Sequence, residues 1–138
     1  MLLGTLAVKA DYAKRVLIGF LTLLVGDGLW LGVISKHFGL YAKAIDNTGW
    51  GPMGAGLAIA LYALISAAFA ALMRPLSVQN ALILGACAGF AVFTAFNITA
   101  VFIHDKWSVP LALVDTTYGT LAWSAMVYAQ YTMTQGGK

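Results

Sequence analysis

ALILGACAGFAVFTAFNITAVFI, residues 81–103, runs for 23 residues without one charged side chain. At about 1.5 Å rise per residue, a helix of this length crosses a hydrocarbon core about 30 Å thick. Three further stretches, 16–34, 55–73 and 110–131, are of similar character. Apolar residues make up 61% of the chain and charged residues 9%, against about 25% charged in a soluble domain. Eight basic and five acidic side chains are too few to present water with a mixed charged surface. The expectation is an all-α integral membrane four-helix bundle. Residues 1–138 then form a single transmembrane domain with four transmembrane helices and both termini on one side.

The ends of these stretches carry local signals. Residues 1–15 have a short apolar run and no basic segment ahead of it, so a cleaved signal peptide is not expected. Tyr12, interleaved with Lys9, Lys14 and Arg15, suggests a separate short helix lying in the interface. Arg74-Pro75 ends the second span, because proline lacks an amide hydrogen and clashes with the preceding turn. So short a link to the third span predicts a tight antiparallel hairpin of spans two and three. Ser108 is placed to cap the fourth helix, with Pro110 tolerated in its first turn.

With four crossings, Lys9, Lys14, Arg15, Arg74 and Lys138 fall on one side, and Lys36, Lys43 and Lys106 on the other. The positive-inside rule then puts both termini in the cytoplasm or its organellar equivalent. The membrane is bacterial inner or organellar. The net charge of +3 is explained by orientation, and no nucleic-acid partner is expected. Trp30, Trp50 and Trp107 fall near one boundary, as an aromatic belt would. His37 and His104 sit at the same boundary and are expected to make interfacial hydrogen bonds.

Two stretches are interrupted by acids. Asp27 and Asp115 fall in the first and fourth spans, where a charged side chain costs about 2.5–3.5 kcal/mol on insertion scales. Counting from the span ends, Asp27, Asn97 and Asp115 come to nearly the same depth, with Thr94, Thr116 and Tyr118 adding hydroxyls. Lipid offers such groups no partner, so they should bond one another in a polar cluster that is structural or proton-binding. Gly85 and Gly89 form a G-x-x-x-G step and Gly119 follows Asp115 by a turn; these small residues mark close helix packing. The second span, rich in alanine, reads as packing material, and so does Cys87.

GDGLWLGVISKHF (26–38), AGFAVFTAFNITAVF (88–102) and WSVPLALVDTTYGT (107–120) resemble a family of small bacterial membrane proteins, the domain of unknown function numbered 2177. Asp27, Thr94, Asn97, Trp107, Asp115, Gly119 and Thr120 fall on positions of its pattern. Tyr118 stands where the family usually carries tryptophan, and Phe93 where tyrosine is common. The likeness covers about 16–131. It implies a four-helix membrane protein and supplies no activity.

Catalytic signatures are absent from the sequence. It has no serine–histidine–acid arrangement, phosphate loop or nucleotide fingerprint. Neither H-x-x-x-H nor C-x-x-C occurs, so no metal or cofactor is expected. The expected function is a non-catalytic accessory or structural subunit of a larger membrane complex, with the lipid bilayer and other membrane subunits, or a second copy, as partners. The alternative is a proton-coupled carrier or channel-like protein for a small solute, centred on the two aspartates.

Overall fold

The computed structural model describes residues 2–41, 44 and 52–135. The expectations for Lys43, Trp50 and Lys138 lie outside the described residues. Helix α1 (Leu2–Leu29) continues without a break through one π-helical turn, Trp30–Ile34, into a last turn, Ser35–His37. Three more helices follow: α2 (Pro52–Leu72), α3 (Val78–Ile103) and α4 (Val109–Gln135). Among the described residues there is no strand.

Three segments, Val8–His37, Gly54–Leu72 and Val78–Ile103, are long and apolar enough to cross a membrane. Helix α4, at 27 residues, has the length but is more polar. Its run from Asp115 to Thr120 and its Gln130 dilute the apolar content. The separate N-terminal segment expected over 1–15 does not exist as such. These residues belong to α1, because nothing between them and Val16 breaks a helix. They are also tied down: Tyr12 donates to the carbonyl of Ala67, and Arg15 to that of Met73.

The helices form an open row rather than a closed bundle. Helix α1 lies against α2 on one side and α4 on the other, α3 packs on α4, and α2 touches α4 briefly. Among the described residues α2 and α3 do not pack along each other, which corrects the expected hairpin. The reason is that the small-residue face of α3 is already used. A Cβ on Gly85 would lie 2.5 Å from the carbonyl oxygen of Trp123, and one on Gly89 2.7 Å from that of Gly119. Backbones approach that closely only where side chains are missing. Gly119 has the Phe93 ring directly over it. Cys87, two residues from Gly85 and so on the opposite side of α3, is exposed rather than packed.

Each turn has a chemical cause. Ser77 caps α3 by accepting from the amide of Asn80, while the Asn80 side chain accepts from the amide of Leu76, a reciprocal box. Ser108 accepts from the amide of Leu111 at the start of α4. The α1 rod ends in a Schellman motif. Gly39 adopts a φ of 59°, its amide bonds Lys36, and the amide of Leu40 reaches back to Ser35. This turn folds Leu40 and Tyr41 over Ala100, Trp107 and Leu111.

The core proper gathers Leu23 from α1, Phe69 from α2, Ala81 from α3 and Trp123, Met126 and Val127 from α4. Phe69 meets Trp123 edge to face, with centroids 5.0 Å apart. The opposite surfaces carry large apolar side chains, among them Leu17, Leu21, Val25, Phe90 and Phe102. In water such a surface would drive association; in lipid it is the ordinary boundary.

Candidate functional site

Asp115 is the focus of a hydrogen-bonded layer near the turn end of the row. It is 7% exposed, and Asn97 beside it 2%. One Asn97 amide hydrogen reaches Asp115 Oδ2 at 2.9 Å, and the same nitrogen lies 2.9 Å from the Phe93 carbonyl and 3.2 Å from Thr116 Oγ1. The Trp107 indole donates to Asn97 Oδ1 at 3.0 Å. An indole N–H only donates, so it fixes the amide: oxygen toward Trp107, nitrogen toward the acid. From the other side the Tyr41 hydroxyl donates to Asp115 Oδ1. The Trp30 indole donates to that hydroxyl at 3.0 Å. Every donor in this layer therefore points, directly or through one neighbour, at a single carboxylate.

Asp27 sits in an adjoining unit. It accepts from the Tyr118 hydroxyl of α4. The Trp30 ring stacks on Tyr118 at 4.4 Å with planes 3° apart, while its N–H serves Tyr41. Trp30 is thus the joint between the two acids, and it stands at the start of the π-helical turn of α1. Single π turns are recurrent at functional positions. Among the described residues no hydrogen bond joins the aspartates to each other.

The expected residues divide accordingly. Asn97, Asp115 and Thr116 come together, and Asp27 pairs with Tyr118 one step away. Thr94 lies a turn from Asn97 with its hydroxyl enclosed and unbonded. Trp30 and Trp107, expected near one boundary, give their N–H groups to this layer. A buried indole N–H needs an acceptor, and Tyr41 and Asn97 supply them. His37 and His104 are exposed. Tyr41 had no signal in the sequence beyond its place after a glycine, since a loop tyrosine shows no periodicity.

A second polar layer lies toward the other end of the row. Gln130 and Ser66, both fully buried, belong to α4 and α2. The Gln130 amide nitrogen lies 3.0 Å from the Arg15 carbonyl, 3.2 Å from the Ser66 carbonyl and 3.1 Å from Ser66 Oγ. Ser66 Oγ in turn donates to the Val16 carbonyl at 2.6 Å. Gly19 makes this possible: a Cβ there would stand 2.3 Å from both the amide nitrogen and the serine oxygen. The second span is therefore more than packing material. A lone glutamine close to a span end resembles a boundary residue, which is why it escaped notice.

Chemically the layer near the turns aims donors at two acids, and the layer around Gln130 ties α4 to α1 and α2 through backbone carbonyls. The fold is that of a helical membrane protein whose most polar helix, α4, is cross-linked to each of the other three. Residues 12–134 match the DUF2177 family, described as predicted membrane proteins, and the chain belongs to that family. No curated protein matches the chain, and no solved structure does.

Proposed function

We propose that this protein is a non-catalytic subunit that works by presenting helix faces to neighbours in a larger membrane assembly. All four helices cross the bilayer in this reading, with both termini on the cytoplasmic or equivalent side. Lys9, Lys14, Arg15 and Arg74 at one end, against Lys36 and Lys106 at the other, support that orientation. The observation that carries the reading is the engagement of both acids. Asp115 and Asp27 accept from aromatic hydroxyls and an amide of other segments, the arrangement expected of interhelical ties. Among the described residues the open row leaves the outer faces of α2 and α3 unpaired, and those faces would meet neighbours.

A proton-coupled carrier is the second reading. It is favoured by Asp27, which is only half-buried and linked to Asp115 through Trp30. Proteoliposomes separate the two. The subunit reading expects no pH-driven flux from the wild-type chain. It further expects that Asp27→Asn with Asp115→Asn weakens recovery of the assembly in mild detergent. Flux that appears with the wild-type chain and vanishes in a well-folded double variant would establish the carrier instead.

A further inference from the structure

Arg15 is out of balance with its surroundings. The side chain is 5% exposed, and its only hydrogen bond among the described residues is from Nη2 to the Met73 carbonyl at 2.7 Å. Nε is enclosed and unbonded, and Nη1 has no acceptor among the described residues. Arg74, which follows the Met73 that Arg15 bonds, acts on it as a like charge, and Asp11, a turn away, opposes with a smaller effect. No carboxylate stands at ion-pair distance among the described residues. Buried charges are ordinarily paired, because desolvation without a counter-ion is expensive. Here, among the described residues, Arg15 has Arg74 as a like charge and only Asp11 as an opposing one.

We propose that Arg15 and Arg74 form a binding site for a phosphate group, supplied by the headgroup of an anionic phospholipid. Guanidinium is the side chain best matched to phosphate, presenting donors in a planar fork. The position fits a headgroup. Both residues lie toward the same end of the helix row, where Lys9 and Lys14 add exposed positive charge. A phosphodiester there would accept from the open edge of Arg15, offset the repulsion with Arg74 and leave the acyl chains along the apolar flank of α1. The 2.7 Å bond from Arg15 Nη2 to the Met73 carbonyl holds the cation in place.

The test uses the purified full chain in dodecyl maltoside, a detergent without phosphate. Three probes are titrated while Tm is recorded: dioctanoyl phosphatidylglycerol, dioctanoylglycerol and inorganic phosphate. Phosphatidylglycerol is expected to raise Tm saturably, and dioctanoylglycerol, which has the same chains without phosphate, to leave it unchanged. Inorganic phosphate acting as strongly as the lipid would reassign the occupant to the free ion while keeping the phosphate site. Arg74→Gln, at an exposed position, is expected to weaken the lipid about tenfold, the loss of one charge-assisted contact. Lys9→Gln, at an exposed position of the same end, should have little effect. Arg15→Lys keeps the charge but loses the fork, and should weaken binding as well. An equal response to dioctanoylglycerol, or equal losses in Arg74→Gln and Lys9→Gln, would overturn the proposal.

Discussion

The two polar layers solve the same problem by different means. At one end of the row, Gln130 and Ser66 reach backbone carbonyls of α1 and α2, so the layer is built wholly from side chains and main chain within helices. Near the turns, Asp115 is held by side chains, and one of them, Tyr41, comes from the segment after α1. The first layer depends on close helix approach, which Gly19 provides. The second depends on a turn being folded correctly, which Gly39 provides. The Gln130 nitrogen finds acceptors wherever helices meet, although its Oε1 is enclosed without a partner among the described residues, whereas a carboxylate needs donors, and helix backbones have none to spare. The acid therefore takes a hydroxyl from the segment after α1 and an amide from α3, each held in turn by an indole.

That contrast can be broken most severely at Asp115. Asp115→Ala strands the Tyr41 hydroxyl, removes one of three acceptors around the Asn97 nitrogen and leaves a cavity, and is expected to cost about 2–5 kcal/mol. Denaturation in mixed micelles would measure it. Loss of Tyr41 protection with the Gln130 layer intact would show the layers to be independent. Gly19→Ala attacks the other layer: its methyl group displaces Gln130 and Ser66, at an expected cost of about 1–3 kcal/mol. Combined with Asp115→Ala the losses should add, because the sites share no partner. Strong non-additivity would mean that α4 transmits strain between them.

Trp30→Phe is gentler. It keeps a ring to stack on Tyr118 but removes the N–H given to Tyr41, for about 0.5–1.5 kcal/mol. The same variant should leave Gly19→Ala unaffected in a double-variant comparison. The smallest effect is one of pH. Burial, and next the bond to Asp115, raise the Tyr41 hydroxyl above its ordinary value of 10.0. The unfolded chain then releases that proton first, so stability should fall as pH climbs above about 10. Tyr41→Phe should flatten that slope in thermal scans between neutral and strongly alkaline pH, and an unchanged slope would remove Tyr41 from the account.

Much of this architecture was legible because lipid simplifies the code. A long uncharged stretch such as 81–103 has one reading, and a polar residue inside it, Asn97, advertises itself against that background. Asp27 and Asp115 were visible for the same reason, and helical rise placed Asn97 and Asp115 level. The glycines of α3 pointed to a close contact without naming the partner. Other parts were hidden. Trp30 and Trp107 looked like anchors, since position along a span says nothing of where an N–H points. Arg15 looked like a boundary charge, and only the neighbouring Met73 carbonyl and Gln130 mark it as buried.

The sequence by itself settled the class of solvent, the number of helices and the identity of the awkward polar groups, because those follow from the transfer cost of each residue taken singly. Tertiary structure decided the rest: that α3 pairs with α4 rather than α2, that Trp30 stands between the acids, and that a loop tyrosine completes the Asp115 layer. Those outcomes depend on which backbone can approach which, and on donors finding acceptors far away along the chain. No single residue carries that information.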